Sequence, residues 1–130
     1  MIITSLYAAL LVVLFIVLSA RIIAFRRGKK INLGDGEDEA MRRRIRAQAN
    51  CAEYAPFGIL MIGIAETLSA HPALLHLMGI TLLVGRIMHA YGINSREVPG
   101  IYRTGGMVLT LLSLALGAIV NLIAVALGTV

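Results

Sequence analysis

The sequence has no tryptophan, a single cysteine, three prolines and only seven acidic residues against twelve arginines and lysines, a formal net charge of +5. One cysteine excludes an internal disulfide and carries no signal of compartment. Charge itself is missing over long runs: residues 1–20 contain none, and neither do residues 104–130. About 20 apolar residues carry a helix across a bilayer. Residues 47–85 hold only Glu53 and Glu66 as charges. That run is too long for one crossing and reads as two joined by a hairpin. No basic residue precedes the first apolar run, so it lacks the charged start of a secretory signal and reads as a retained span. Glycine-rich phosphate loops, internal repeats, low-complexity tracts and paired metal-ligand spacings are all absent, so no metal is expected.

What is present is apolar. Hydrophobic residues make up 58% and mean hydropathy is +0.85, outside the range of an ordinary soluble domain. The pattern predicts an all-α integral membrane four-helix bundle. It forms one domain over residues 1–130, with spans at about 2–25, 42–69, 72–92 and 101–129. Gly34 and Gly36 break the chain after the first span, and Asp38 or Asp35 is placed to cap the second helix. The second helix begins near Glu39, and its amphipathic first part projects beyond the membrane. Pro56 within it is expected to bend it or open its hydrogen-bond ladder. Ser69-Ala-His-Pro72 reads as a tight turn with Pro72 opening the third helix. Ser113, Gly117 and Asn121 recur every four residues, a stripe suited to close helix contact.

Nine of the twelve basic residues fall between Arg21 and Arg46, and the others are Arg86, Arg96 and Arg103. All lie on the side of loops one and three, which positive-inside logic places in the cytoplasm, with both termini outside. A sequence pI near 10.0 would suit nucleic acid. Basic residues beside apolar spans instead set orientation and meet anionic lipid, so membrane lipids are the expected partners and nucleic acid is not.

Polar groups concentrate at that same side. At about 100° per residue, Arg46, Asn50 and Glu53 fall within roughly 60° of one another, with Tyr54 on the shoulder. A cation, an amide, a carboxylate and a phenol at this spacing suit a small zwitterion. Arg86, His89 and Tyr91 end the third span at this depth, and Tyr102 and Arg103 open the fourth. Glu53 needs a partner inside a span, and Arg46 or Arg86 are the candidates. Tyr91 and Tyr102 equally suit an interfacial aromatic belt, and the Arg42–Arg44 run suits membrane orientation. His76 and His89 are expected to satisfy helix–helix hydrogen bonds. Glu66 is expected at a solvated outer rim, and Cys51, turned about 140° from Arg46, as a small buried hydrophobe.

The segment Arg46-Ala-Gln-Ala-Asn50-Cys-Ala-Glu53-Tyr54, together with Gly85-Arg-Ile-Met-His89, the length and the four spans, resembles the MAPEG family. Its members are membrane-associated proteins of eicosanoid and glutathione metabolism, among them the microsomal glutathione transferases and the five-lipoxygenase-activating protein. The resemblance covers essentially the whole chain and is nearest to short bacterial inner-membrane members. It implies a homotrimer with a glutathione site between subunits on the cytoplasmic side. Arg46, Asn50, Glu53 and Tyr54 match glutathione-binding positions, and Tyr91 resembles the site's tyrosine on the third span. Arg86 is grouped with them. Arg103, or alternatively Arg96, would hold the thiolate. The implied activity is transfer of glutathione, as cosubstrate, to hydrophobic electrophiles, or a peroxidase reaction. The alternative is a lipid- or glutathione-binding scaffold without chemistry. A small multidrug exporter of similar size would rely on a carboxylate in the first span, and residues 1–20 contain none.

Overall fold

The computed structural model describes residues 1–94 and 100–128. Four helices account for the regular structure among them: α1 (Ile2–Lys29), α2 (Glu39–Thr67), α3 (Pro72–Asn94) and α4 (Ile101–Ala126). Each boundary has a local cause. At the end of α1, Lys30 turns left-handed (φ 56°) and folds its N–H back onto the Arg26 and Arg27 carbonyls. Gly34 and Gly36 adopt φ of 69° and 59°, a region glycine enters without steric cost. Asp38 then caps α2, its side chain accepting from the Met41 N–H at 3.0 Å. Pro72 opens α3, where a missing N–H costs nothing.

α1, α3 and α4 are long and apolar enough to cross a membrane, with mean hydropathies of 2.7, 1.5 and 2.5. α2 is the less apolar helix, as its amphipathic first part leads one to expect. Its 29 residues extend about 43 Å, well beyond a 30 Å hydrocarbon core. Its first half, however, carries Arg42–Arg44, Arg46, Asn50 and Glu53, and these lower its hydropathy. Packing compensates: α2 contacts all three other helices, whereas α1 and α4 do not touch among the described residues.

α2 and α3 therefore form the centre, around Ile62, Ala65, Leu75, Met78 and Leu82. The tightest seam joins α3 to α4. A Cβ on Gly85 would stand 2.8 Å from the Gly106 carbonyl oxygen, and Gly117 lies against Met61 and Met78. Along this seam Ser113 Oγ donates to the Met78 carbonyl (2.8 Å), and Asn121 Nδ2 reaches α2 instead, at the Met61 carbonyl (3.2 Å), so the small-residue stripe packs against both neighbours. At the end far from the basic residues, Glu66 is not a solvated rim group. Its carboxylate accepts from the Ile3 N–H (3.1 Å) and from the Thr4 N–H (2.8 Å) and hydroxyl (2.5 Å). It thus caps orphan donors of α1 from another helix.

Candidate functional site

The site is built on a buried arginine. Arg86, in the last third of α3, is 1% exposed. Its Nη1 donates to Asn50 Oδ1 at 2.7 Å and to the Asn50 carbonyl at 3.4 Å, and its Nε to Thr110 Oγ1 at 2.8 Å. The guanidinium also lies 5.2 Å from the centre of the Tyr54 ring. Glu53 is therefore not its partner. Neutral dipoles from α2 and α4 satisfy the charge, and with Arg86 enclosed there is no surface left to meet a ligand. Arg86 was grouped with the binding residues, but the structure places it beneath the surface, bonded to Asn50 and Thr110.

This arrangement fixes Asn50. A guanidinium only donates, so the Asn50 amide must turn its oxygen to Arg86 and its NH₂ away. Asn50 in turn lines a cleft of about 540 Å³ at the basic end of the bundle, with Arg42, Arg43, Arg46, His89, Arg103 and Met107 around it. The cleft thus presents one oriented amide donor and arginines from α2 and α4. That donor set suits a small, multiply anionic molecule.

Arg46, Asn50 and Arg103 are brought together as expected. Glu53, Tyr54 and Tyr91 do not line this cleft. The Glu53 and Arg46 side chains are 52% and 60% exposed, and their 3.9 Å ion pair is long, so it contributes little. Tyr91 is exposed and meets Tyr102 edge-on, with ring centres 5.6 Å apart. Arg96 lies outside the described residues. Glu53 and Tyr91 thus face outward on the flank of α2 and the end of α3, while half-buried Tyr54 lies against the Arg86 guanidinium.

Three lining residues were assigned other work by the sequence reading. Arg42 and Arg43 belonged to an orientation run. They reach the cleft rim tied to Asp35 (2.7 Å) and Glu39 (2.9 Å), and Arg43 also bonds the Ile93 carbonyl at the end of α3 (3.4 Å). His89 does satisfy a helix–helix bond, donating from Nδ1 to the Arg103 carbonyl at 2.8 Å, yet it also lines the cleft. Its position three residues after Arg86, on the same helical face, was the available signal. His76 likewise pairs across helices, with Tyr7 OH at 2.9 Å. Cys51 is buried as expected.

This geometry can be set beside known proteins. The MAPEG family model matches residues 4–123. The chain belongs to the MAPEG family. A protein named inner membrane protein YecN from Escherichia coli K12 is 32% identical to it over 120 residues, covering 92% of this chain and 90% of that protein. The same protein from Escherichia coli O6:H1 matches equally. With three described helices long and apolar enough to cross a membrane, this MAPEG chain is an integral membrane protein of bacterial type. The segment from Arg46 to Tyr54 and the Gly85–His89 segment both lie inside the matched region.

Proposed function

We propose that this MAPEG protein binds glutathione at the basic end of the bundle and transfers its thiolate to hydrophobic electrophiles that arrive through lipid. The observation that carries the reading is the cleft in which Asn50, oriented by buried Arg86, sits among Arg43, Arg46 and Arg103. Glutathione brings two carboxylates for arginine forks, peptide carbonyls for the Asn50 NH₂, and an ammonium for Glu53.

Glu53 and Tyr91 are exposed outside the cleft in one subunit, and Tyr54 lies beside Arg86 rather than in the cleft. A carboxylate facing lipid is costly, and a second subunit against this flank relieves that cost. We therefore propose a homotrimer in which these residues and the cleft of a neighbour complete each site. Loops one and three face the cytoplasm of a bacterial inner membrane, supported by the gathering toward one end of the basic residues from Arg21 to Arg46, with Arg86 and Arg103, all among the described residues.

Arg103 holds the thiolate in this reading. A guanidinium about 4 Å from sulfur is worth up to roughly 4 kcal/mol at an effective dielectric of 20. That is enough to bring a thiol pKa of about 8.5 below neutrality. The test is thiolate ultraviolet absorbance on adding glutathione to wild type and to Arg103→Ala. Absorbance should rise only in wild type; equal absorbance in both defeats the assigned role. Glutathione binding with no turnover over a panel of electrophiles would instead establish the scaffold reading.

A further inference from the structure

The hydrogen bonds of Arg86 are uneven. A guanidinium carries five N–H donors. Nε is taken by Thr110, and Nη1 by the side chain and carbonyl of Asn50. Nη2 meets the Met107 sulfur, at 3.8 Å, and a thioether is a weak acceptor. Among the described residues no oxygen accepts from Nη2. Arg86 is 1% exposed, so bulk water does not reach it. A buried charged donor with a poor partner is costly.

Met107 and Thr110 stand three residues apart on α4, on one helical face, and so bring sulfur and hydroxyl to the same guanidinium. Met107 is half-buried and has a second side: it lines the cleft at the basic end, where a water-soluble oxidant can reach it. Met41 and Met78 are fully buried. Met61 has a comparable N–H contact to its sulfur, from Asn121 Nδ2 at 3.7 Å. That donor is a neutral amide, however, and Met61 is not among the residues that line the cleft.

Oxidation of a thioether replaces a weak acceptor with a strong one. The sulfur lone pair attacks the terminal oxygen of a hydroperoxide, and an S–O bond forms as the O–O bond breaks. The hydroxyl proton passes to the departing alkoxide, or hydroxide from hydrogen peroxide, giving an alcohol or water. Sulfur loses two electrons and the peroxide gains them. One lone pair of the Met107 sulfur faces Nη2, so the other is the one offered to the cleft, and a single sulfoxide epimer results. A turn about the Cγ–Sδ bond, with the methyl group moving into the cleft, brings the new oxygen toward Nη2 across part of the 3.8 Å gap.

We propose that Met107 is a site of reversible oxidation by hydroperoxides, whose sulfoxide oxygen is held by Arg86 Nη2 and ties α4 more firmly to α3. Methionine sulfoxide ordinarily disrupts packing, and reductases specific to each epimer reverse it. Here the sign is opposite, because the new oxygen supplies the acceptor that a buried cation is short of. The site lies within one subunit and does not rest on glutathione binding.

The full chain in detergent is treated with hydrogen peroxide and mapped by peptide mass spectrometry, with Met107→Leu treated in parallel. Met107 should gain one oxygen before Met61 does. On the digested peptide, one of the two epimer-specific reductases should remove that oxygen and the other should not. Treatment should raise the wild-type Tm by about 4–8 °C, the effect of one hydrogen bond to a charged group, over any change the same treatment makes in Met107→Leu. Met107→Gln, which sets an amide oxygen at similar reach, should melt above Met107→Leu without peroxide and leaves Arg86 untouched. A Met107 that stays unoxidised while Met61 reacts, a fall in Tm on its oxidation, equal amounts of the two epimers, or a Met107→Gln variant no more stable than Met107→Leu overturns the proposal. No glutathione is present in these assays, so their outcome is independent of the proposed transferase.

Discussion

Two adjacent glycines in α4 should respond to the same substitution with opposite signs. A Cβ on Gly105 would meet only Met88 Cε, at 3.5 Å, an ordinary contact. Gly105→Ala should therefore gain the helix preference of alanine over glycine, about 0.5–1 kcal/mol. A Cβ on Gly106 would stand 2.6 Å from the Gly85 carbonyl oxygen and 2.9 Å from His89 Cα, with the His89 backbone nitrogen nearer still. These are backbone atoms of α3 and cannot swing aside. To restore normal contact α4 must retreat by about 1 Å. Overpacking of this kind costs about 1–3 kcal/mol. The retreat also stretches the Arg86–Thr110 and His89–Arg103 bonds that frame the cleft. The helix preference is common to both, so the two variants should differ by the overpacking cost, about 1–3 kcal/mol, or roughly 4–12 °C in Tm for a chain of this length. Cys51 provides the assay. It is the single cysteine and 3% exposed, so a thiol-reactive fluorophore lights up as the bundle opens. If the two substitutions move Tm in the same direction, the backbone contact between α3 and α4 is not as described.

Other perturbations follow from the same contacts. Glu66→Leu leaves the Ile3 and Thr4 amides uncapped; it should cost about 1 kcal/mol and raise hydrogen exchange at those two amides, with exchange in α3 unchanged. The Met41 N–H holds the Asp38 carboxyl below the usual aspartate range, against a smaller opposing effect of burial. Its capping contribution is therefore complete above that range and lost as pH falls through and below it. Met41 protection should fall on acidification, and Asp38→Asn, which caps without titrating, should flatten that response. Arg86→Lys keeps a charge but cannot reach Asn50 and Thr110 as a fork. Freed from its orientation, the Asn50 amide should bind glutathione about tenfold more weakly by calorimetry, with helix content unchanged by circular dichroism.

Local signals carried most of the fold. Charge-free runs marked the outer helices, Asp38 and Pro72 marked two starts, and the Ser113–Gly117–Asn121 stripe marked a packed seam. Each depends on residues near one another in sequence. What stayed illegible depends on rotation and depth of one helix against another. The sequence pairs Glu53 with an arginine because both are charged; the structure gives Arg86 to Asn50 and Thr110 because those are the groups α2 and α4 turn toward it. Glu66 was misplaced for the same reason, since nothing local says that it faces the start of α1. The Arg46–Tyr54 segment was legible as a unit, but it wraps around α2, so Asn50 points inward while Glu53 points out.

The guanidinium of Arg86 has one further consequence. No acid neutralises it among the described residues, and arginine does not lose its proton at any pH a cell meets. The basic end of the bundle therefore carries a permanent positive source beneath its surface, out of reach of mobile ions that blunt the outer arginines. Attraction of anions to the cleft should accordingly have two parts: one that fades as ionic strength rises, from Arg42, Arg43 and Arg46, and one that persists in strong salt.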